Sequence, residues 1–445
     1  MRKLPDRVRI FPATLSGSVA VAGDKSIGHR CLIIGSLAST EVTVSGLAPS
    51  GDIAATAESL RRLGARVELA TGADGLLEGV VEGPILRDPT AGPIELDCGN
   101  SGTTFRLVAG LAAGAGRAVI LDGDASLRRR PMKRVIEPLE AMGIRSRARD
   151  EQFPPLELQA GTIRGVEWRS SVASAQVKSA ILLAAVAGGV SAEVVSPAPS
   201  RDHTERMLAH GGVPVRSTIE ANGEERVRVE PAQPTFTALA APRDPSAAAF
   251  WHVAAACGEG RLRTPDLCLN PGRTGALEVL TTMEADVRIA NRREAHGEPI
   301  GDVEVRPGGR KGTEISGALV VRCLDELPVL ALAGGLSEDG LLVRDAAELR
   351  VKESDRIRVL AQTLRELGMV IDEHPDGFFV PGGQQPHAGS VDAHGDHRIA
   401  MTAAIAACHG SGPVDISGFS AVGTSYPGFL DDLVQLGGRV EVLGD

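Results

Sequence analysis

The sequence predicts an α/β protein built from six repeats, and two recurring patterns carry that prediction. The first is a helical segment with apolar residues at i and i+3 that ends at a glycine and continues into alternating residues, which indicates a helix followed by a strand. The second is a helix of small and aliphatic residues that precedes each copy of the first, as in 179–189. The first pattern occurs at 58–69, 137–148, 205–216, 278–289, 362–373 and 431–442, and its fourth copy lacks the glycine.

The length and composition suit this arrangement. A chain of 445 residues is too long for one ordinary core, so we expect two domains. With 2 Trp, 1 Tyr and 9 Phe against 53 Gly, the core must be built from aliphatic and small side chains, which let helices pack closely. A helix that is apolar on most faces is expected to be buried, so the second pattern predicts the centre of each repeat.

Charge and cysteine content argue against several classes of protein. A net charge of −10 is unlike a general nucleic-acid-binding protein, but it is compatible with a local cationic cleft for a small anion. The six cysteines form no CxxC motif, and Cys31, Cys257 and Cys408 lie in apolar runs typical of buried free thiols in a reducing compartment. The chain shows neither a signal-peptide pattern nor a run of about 18 apolar residues. We therefore expect a cytoplasmic protein with no membrane or nucleic-acid partner.

Each predicted buried helix opens with a polar turn, and these turns are the candidate functional positions. A helix N-terminus presents free N–H groups and the positive end of the helix dipole, so it favours phosphates and carboxylates. Asp244 followed by Pro245 is typical of an N-cap with proline at the first helical position. The turns lie at 24–26, 99–102, 174–176, 244–246, 325–328 and 395–397.

The first two openings are candidates for anion binding. Lys25, Ser26 and Arg30 begin the first buried helix, and Ser26 and Arg30 share one helical face. The alternative is a capped surface helix with solvated charges. The glycine-rich turn 99–104 either lets backbone N–H groups approach a ligand closely or is an ordinary strand-to-helix turn.

The basic run 127–134 and the turn at 174–176 are more ambiguous. Charge runs are usually solvated faces, but Arg130 precedes Pro131, so its backbone is held extended before a helix and it is the candidate ligand of the run. Ser174 and Gln176 are either ligands or, respectively, a helix cap and an exposed side chain.

The last three segments also allow two interpretations each. Asp325 is either a helix cap or a base at a helix end. In 350–356, Ser354 is the expected N-cap of the fifth amphipathic helix, and the charges either act on a ligand or form local i,i+3 pairs. The histidines of 394–397 have no third ligand nearby in sequence, so a metal site is not supported and Arg398 is the candidate there.

Taken in order, these segments resemble the enolpyruvyl transferase family and, within it, the enolpyruvylshikimate phosphate synthases. Each motif is weak by itself, whereas the ordered set is very specific and covers nearly the whole chain. The matching segments are Asp24-Lys25-Ser26 with Arg30, Gly99-Asn100-Ser101-Gly102-Thr103, Arg130-Pro131, Ser174-Ala175-Gln176, Val351-Lys352-Glu353-Ser354-Asp355-Arg356 and Asp396-His397-Arg398-Ile399-Ala400-Met401.

This resemblance implies a particular fold. It is a two-lobed, inverted α/β barrel-like fold of six βαβαββ repeats, three in each domain, with the N-termini of the buried helices facing a cleft between the lobes. The chain would cross between lobes near 22–24 and 241–244. One lobe is then expected to be 23–241, with repeats one to three, and the other 1–22 plus 242–445, with repeats four to six.

The resemblance also implies a reaction. The 5-hydroxyl of shikimate 3-phosphate attacks C2 of phosphoenolpyruvate while C3 is protonated, and the tetrahedral intermediate then loses phosphate and the C3 proton. Such chemistry needs groups that move protons, and cations for two phosphates and two carboxylates. It requires these two small-molecule substrates, no cofactor and no metal, and the family expectation is a monomer.

Site residues follow from the resemblance position by position. Asp325 is the expected base for the hydroxyl, and Glu353, beside Lys352, is expected to exchange the proton at C3, with Lys25 as a further catalytic residue. Shikimate 3-phosphate is expected to contact Lys25, Ser26, Arg30, Ser174, Gln176, Arg201, Asp325 and Lys352. Phosphoenolpyruvate is expected to contact Lys25, Gly102, Arg130, Gln176, Arg356 and Arg398.

Several positions depart from the common family pattern. Ala175 replaces a serine, 423–427 lacks a lysine that many members carry, and Arg201 lies where many members use a nearby tyrosine. One cation for phosphoenolpyruvate is therefore in doubt. The chain resembles a bacterial subgroup in which alanine at the Gly102 position accompanies glyphosate tolerance, so glycine predicts at least partial sensitivity.

Two alternative functions fit the sequence less well than this one. The sister enzyme that acts on UDP-N-acetylglucosamine would be expected to carry a catalytic cysteine in a mobile loop, and the corresponding region 118–130 has none. A non-catalytic repeat scaffold would keep its basic residues on solvated faces, whereas here they gather at the openings of buried helices. The acceptor substrate distinguishes the first rival, and binding of shikimate 3-phosphate distinguishes the second.

Overall fold

The computed structural model describes residues 4–83, 92–308 and 310–444. The chain divides into two compact lobes. The central lobe is Gly23–Ala241 with Glu294–Glu298, and the terminal lobe is Met1–Ala22, Pro242–Arg293 and Pro299–Asp445. The lobe limits inferred from the resemblance assign 294–298 to the other lobe, whereas these residues contact the central lobe. Residues 1–3 and 445 of the inferred limits lie outside the described residues.

Except for a short helix at Ala318–Cys323, the helices fall where the two sequence patterns predict them. The α-helices of the described chain are α1 (Lys25–Gly35), α2 (Gly51–Arg62), α3 (Gly102–Gly114), α4 (Lys133–Ala141), α5 (Ala175–Gly188), α6 (His203–His210), α7 (Pro245–Cys257), α8 (Gly275–Thr282), α9 (Ala318–Cys323), α10 (Leu327–Leu336), α11 (Arg356–Glu366), α12 (His397–His409) and α13 (Phe429–Gln435). Helices α1, α3, α5, α7, α10 and α12 are the buried ones and begin at the predicted polar turns.

Strands follow the helices in the same periodic way. They are β1 (Val8–Phe11), β2 (Gly17–Ser18), β3 (Val42–Leu47), β4 (Arg66–Thr71), β5 (Leu77–Glu82), β6 (Ile94–Asp97), β7 (Val119–Asp122), β8 (Ser146–Arg149), β9 (Phe153–Leu158), β10 (Val166–Arg169), β11 (Ala192–Ser196), β12 (Val215–Ile219), β13 (Glu225–Val229), β14 (Ala238–Ala240), β15 (Leu262–Cys268), β16 (Asp286–Ala295), β17 (Glu298–Arg306), β18 (Thr313–Ile315), β19 (Leu341–Val343), β20 (Asp372–His374), β21 (Gly377–Val380), β22 (Gly389–Asp392), β23 (Val414–Ser417) and β24 (Arg439–Val442). Each predicted helix-to-strand transition is confirmed.

The described strands form six four-stranded sheets, one for each repeat. Their orders are β14-β3-β5-β4, β6-β7-β9-β8 and β10-β11-β13-β12 in the central lobe, and β16-β17-β15-β2, β18-β19-β21-β20 and β22-β23-β1-β24 in the terminal lobe. Each sheet joins one parallel pair to antiparallel neighbours, as a βαβαββ repeat requires. The predicted α/β architecture of six repeats is therefore confirmed.

Three repeats are completed by a strand from a distant part of the chain. β1 pairs with both β23 and β24, and β2 pairs with β15, so the first residues complete the sixth and fourth repeats. In the same way β14 pairs in parallel with β3 and completes the first repeat. The pairings of β1 and β2 explain why the amino-terminal segment belongs to the terminal lobe.

The ends of the amphipathic helices show why five of six copies contain glycine. Gly64, Gly143, Gly212, Gly368 and Gly437 have φ between 76° and 104°, a region that side chains with a Cβ seldom adopt. The fourth copy places Glu284 there at φ 68°, so the backbone makes the same turn without glycine. The fourth repeat is therefore present, and its backbone is locally strained where the other five copies have glycine.

Small side chains let the buried helices approach closely. A Cβ on Gly110 would lie 2.2 Å from the carbonyl oxygen of Ala180, and one on Gly114 would lie 2.2 Å from that of Ala184. Helices α3 and α5 therefore meet backbone to backbone. The terminal lobe adds a small aromatic core, in which Trp251 stacks on Phe429 with 4.8 Å between ring centroids.

Two further expectations can be compared with the structure. Cys31 and Cys408 are buried free thiols, as predicted, whereas Cys257 is only partly buried. The cap predicted at Ser354 is wrong, because Asp355 is the N-cap of α11 and accepts from Arg358 N at 3.2 Å. Among the described residues, no helix has the length and apolarity needed to cross a membrane.

Candidate active site

Lys25 and Arg30 lie on α1 of the central lobe in different environments. Asp24 caps the helix, and Lys25 Nζ at its first position lies 2.9 Å from the carboxylate of Asp52 on α2. Arg30, 3% exposed, donates to Ser26 O at 2.8 Å and to two hydroxyl groups, and burial lowers its pKa to about 10. Lys25 is therefore the more accessible cation, and Arg30 is held rigidly by its neighbours.

The N-terminus of α3 is linked to that of α5. Ser101 caps α3, and Gln176 Nε2 donates to Thr103 Oγ1 at 3.0 Å. Arg106, one turn further along α3, donates through Nη1 to Gln176 Oε1 at 2.7 Å. The amide of Gln176 is thus oriented from both ends. Ser174, as one of its two interpretations anticipated, caps α5.

Arg130 is oriented by a short hydrogen-bond chain. Its backbone is extended, with φ −85° and ψ 129°, as the following proline predicts. Nη2 donates to Asn100 Oδ1 at 2.8 Å and to Ser126 Oγ at 3.3 Å, and Asn100 in turn donates to Asp124 at 2.6 Å. A Cβ on Gly102 would lie 2.8 Å from Arg106 Nη1 and 3.4 Å from Arg130 Nη1, so glycine lets both guanidinium groups approach the N-terminus of α3.

The central-lobe residues expected to bind substrates therefore cluster at helix N-termini. Helix α3 packs against both α1 and α5, so the openings that carry Lys25, Gly102 and Gln176 belong to neighbouring helices. Arg201 is partly exposed in the turn between β11 and α6, and α6 packs on α1 and α5. Several dipole ends and side-chain cations can here act together on an anion.

In the terminal lobe, one carboxylate is surrounded by three cations. Asp325 Oδ1 lies 3.6 Å from Arg356 Nη1 and 3.8 Å from Lys352 Nζ, and Oδ2 lies 3.9 Å from Arg398 Nη2. Glu326, not Asp325, occupies the N-cap position of α10, so the interpretation of Asp325 as a cap is not supported. Asp325 is the common neighbour of all three basic side chains.

Arg356 is the most constrained of these cations. It is 1% exposed, and its Nε and Nη2 donate to Asp396 at 2.8 and 3.2 Å, while Nη2 also donates to Glu353 at 2.5 Å. Burial disfavours its charge, but the carboxylates of Asp396 and Glu353 outweigh this effect and raise the pKa of Arg356. Nη1 is buried without a hydrogen-bond partner among the described residues, and Asp325 Oδ1 lies 3.6 Å from it.

The segment 423–427, which lacks the lysine that the resemblance led us to expect, has a structural role here. Tyr426 is buried, accepts a hydrogen bond from Trp251 Nε1 at 3.0 Å and donates to Asp432 at 2.5 Å. Arg106 and Asp52, which orient Gln176 and Lys25, were not predicted from the sequence. The spacing of Arg106 four residues after Gly102, on the same helical face, is the signal that would have found it.

Comparison with known proteins identifies the family. The model of the EPSP synthase family (3-phosphoshikimate 1-carboxyvinyltransferase) matches residues 11–433. A 3-phosphoshikimate 1-carboxyvinyltransferase of Prochlorococcus marinus is 44% identical over 430 residues, which are 95% of this chain and 96% of that protein.

Solved structures agree with this match. EPSP synthase from Acinetobacter baumannii has a TM-score of 0.85 at 34% identity, covering 98% of this chain and 100% of that one. An enolpyruvyl transferase from Streptomyces tendae shares the fold, with a TM-score of 0.75 at 16% identity and coverage of 98% and 99%. The resemblance seen in the ordered motifs is confirmed, and the chain belongs to the EPSP synthase family.

Proposed function

We propose that this chain transfers the enolpyruvyl group of phosphoenolpyruvate to the 5-hydroxyl of shikimate 3-phosphate, releasing phosphate. The observation that carries the proposal is the carboxylate of Asp325 with Lys352, Arg356 and Arg398 around it. A base among cations suits a reaction that removes a hydroxyl proton beside anionic groups. Family membership supports the same activity.

In the central lobe, shikimate 3-phosphate is proposed to bind Lys25, Ser26, Arg30, Ser174, Gln176 and Arg201. The rigid placement of Arg30 supports this, because a guanidinium that three protein acceptors already orient keeps further N–H groups for a phosphate. Asp325 and Lys352 of the terminal lobe are proposed to contact the same substrate, with Asp325 accepting the proton of its 5-hydroxyl.

Phosphoenolpyruvate is proposed to bind Lys25, Gly102, Arg130 and Gln176 of the central lobe, and Arg356 and Arg398 of the terminal lobe. Two observations support this assignment: Gly102 lets the guanidinium of Arg130 approach the N-terminus of α3, and Nη1 of Arg356 has no hydrogen-bond partner among the described residues. Arg130 and Arg356 are each held by a hydrogen-bonded partner, so they are oriented before a phosphate or carboxylate arrives.

The proton at C3 is proposed to be exchanged by Glu353 with Lys352 beside it. In the addition step the 5-oxygen bonds to C2, C3 gains a proton and the 5-hydroxyl loses one to Asp325. In the elimination step C3 loses a proton while the C2–oxygen bond to phosphate breaks. We further propose that the chain acts as a monomer without a metal or other cofactor, which analytical ultracentrifugation and assays in chelator would test.

The experiment that tests the function measures phosphate release from phosphoenolpyruvate with each of two acceptors. Release with shikimate 3-phosphate and not with UDP-N-acetylglucosamine is the expected result. Release with the nucleotide sugar alone would move the activity to the sister enzymes. Release with neither acceptor would refute the proposed activity while leaving family membership intact.

A further inference from the structure

The turn 197–202, between β11 and α6, carries Arg201 and is hydrogen-bonded to β13. Ser200 N donates to Glu225 Oε2 at 3.4 Å, and Glu225 is the first residue of β13. Arg201 itself is partly exposed, and the proposed function assigns it to the binding of shikimate 3-phosphate. The position of this cation therefore depends on what holds Glu225.

Glu225 belongs to a buried cluster of three charges. Lys178 Nζ lies 2.6 Å from Glu205 Oε1 and 2.7 Å from Glu225 Oε2, and the three side chains are 1%, 5% and 6% exposed. Burial disfavours the ammonium, but both carboxylates raise the pKa of Lys178, so it stays charged. The cluster sets two carboxyl groups against one ammonium, and burial raises the pKa of Glu205.

Stability alone gives little reason for such a cluster. Removing three charges from water is costly, and apolar side chains of similar volume often stabilise a core as well or better. The cluster instead joins three elements, since Lys178 lies on α5, Glu205 on α6 and Glu225 on β13. A charge-assisted hydrogen bond from Lys178 to Glu225 and an ion pair from Lys178 to Glu205 hold these elements together with a direction that apolar contacts lack.

The elements that the cluster joins also carry the proposed phosphate ligands. Lys178 lies two residues after Gln176 on α5, and Glu205 lies four residues after Arg201. Thr204, next to Glu205, accepts from Arg30 Nε at 2.7 Å. Through Glu205 the cluster contacts the first turn of α6, and through Glu225 it contacts Ser200 in the turn before α6.

We propose that Glu225, held by Lys178, is a positioning residue that fixes the turn bearing Arg201 for the phosphate of shikimate 3-phosphate. This inference rests on the proposed function for its substrate. Glu225 does not touch the substrate in this proposal. It acts through Ser200 N, and the loss of that contact lets Arg201 sample positions that do not reach the phosphate.

The test uses the matched variants Glu225→Leu and Glu205→Leu. Each leaves Lys178 with one carboxylate, so the buried pair stays neutral, but only Glu225→Leu removes the acceptor of Ser200 N. We expect Glu225→Leu to raise the KM for shikimate 3-phosphate about tenfold, with kcat and the KM for phosphoenolpyruvate changed less than about twofold. Glu205→Leu should leave all three constants near their original values, and equal effects of the two variants would overturn the proposal.

A double-mutant cycle with Arg201→Ala separates positioning from general loosening. If Glu225 acts through Arg201, adding Glu225→Leu to Arg201→Ala should not raise the KM further. The missing tenfold effect corresponds to a coupling of about 1.4 kcal/mol. Additive effects would show that Glu225 does not act through Arg201.

Two further measurements distinguish failure of the proposed function from failure of the positioning role of Glu225. Wild-type turnover with shikimate 3-phosphate is measured first, because its absence refutes the proposed function and not the positioning. Amide hydrogen exchange of 197–202, which needs no substrate, should be faster in Glu225→Leu and unchanged in Glu205→Leu. If Glu225→Leu does not fold, Glu225→Asp, whose carboxylate is one methylene shorter, should show the same changes more weakly, and unchanged exchange and KM in it would overturn the proposal.

Discussion

The substitution Asp396→Asn tests whether a buried ion pair holds Arg356 in place. The carboxylate of Asp396 is fully buried and accepts from Arg356 Nε at 2.8 Å, Arg356 Nη2 at 3.2 Å and Ser354 Oγ at 3.0 Å. Asparagine keeps the shape of the side chain but removes its charge. The buried guanidinium then retains Glu353, at 2.5 Å, as its nearest carboxylate.

The magnitude follows from the geometry. Two unit charges 2.8 Å apart attract by about 6 kcal/mol at an effective dielectric constant of about 20. Part of this loss is offset, because the neutral side chain no longer has to be desolvated as an ion and Glu353 still pairs with Arg356. We therefore expect the free energy of unfolding of the terminal lobe to fall by about 3 kcal/mol, the lower end of the range for a broken buried pair.

Urea unfolding followed by the fluorescence of Trp251 measures this loss, because Trp251 is buried in the terminal lobe. A Trp168→Phe background removes the signal of the central lobe. The matched control Asp415→Asn breaks an ion pair in the same lobe whose carboxylate is 26% exposed, so water already screens it and the loss should be much smaller. A loss at Asp396 no larger than at Asp415 would refute the reasoning.

The same variant should change the response to acid. Burial opposes the charge of Asp396, but Arg356 beside it outweighs this and lowers the pKa of Asp396 below its usual value of about 3.9. Because the folded-state pKa is the lower one, the stabilisation is present above about pH 4 and is lost as pH falls through the folded pKa. Wild-type protein should therefore lose more stability than Asp396→Asn on acidification below about pH 4.

The remaining predictions concern the strained helix end and the phosphoenolpyruvate residues. Glu284→Gly should raise the free energy of unfolding by about 1 kcal/mol relative to Glu284→Ala, because φ 68° strains any residue with a Cβ, and equal stabilities in urea would contradict this. Arg130→Lys should raise the KM for phosphoenolpyruvate about tenfold, because lysine cannot reproduce the fork that Asn100 and Ser126 orient, whereas the exposed control Arg129→Lys should leave it unchanged. Wild-type activity should be inhibited by glyphosate at concentrations near the KM for phosphoenolpyruvate, because Gly102 has no methyl group to clash with the inhibitor, and inhibition only far above that KM would contradict this. Gly102→Ala should weaken that inhibition, because its Cβ would lie 2.8 Å from Arg106 Nη1, while the control Gly51→Ala, with no atom within 4 Å, should not.

Much of the fold could be predicted from the sequence, because local patterns within each repeat indicate its helices and strands. Apolar spacing, polar openings and terminal glycines predicted six buried helices, six amphipathic helices and the strands after them. The strands that complete the first, fourth and sixth repeats could not be assigned in this way. β1, β2 and β14 are short and pair with strands far away in sequence, so the sheet partners decide their places.

The candidate site residues could also be identified from local sequence motifs, whereas their interactions could not be predicted from those motifs. Ser354 looked like a cap by spacing, but Asp355 caps α11 and Ser354 donates to Asp396 instead. Arg356 was expected either to contact phosphoenolpyruvate or to form a local i,i+3 pair. The fold buries it between two carboxylates, and one of them, Glu353, is that i,i+3 partner.

By itself, the sequence determined the family, the six-repeat α/β architecture and the set of charged residues at helix openings, because these depend on local patterns and on their order along the chain. Only the tertiary structure decided which of those charges face each other. The three cations around Asp325, the orientation of Gln176 by Arg106 and the Lys178–Glu205–Glu225 cluster join side chains from different helices and strands. The energies of such pairs depend on distance and burial, and both are set when the elements pack.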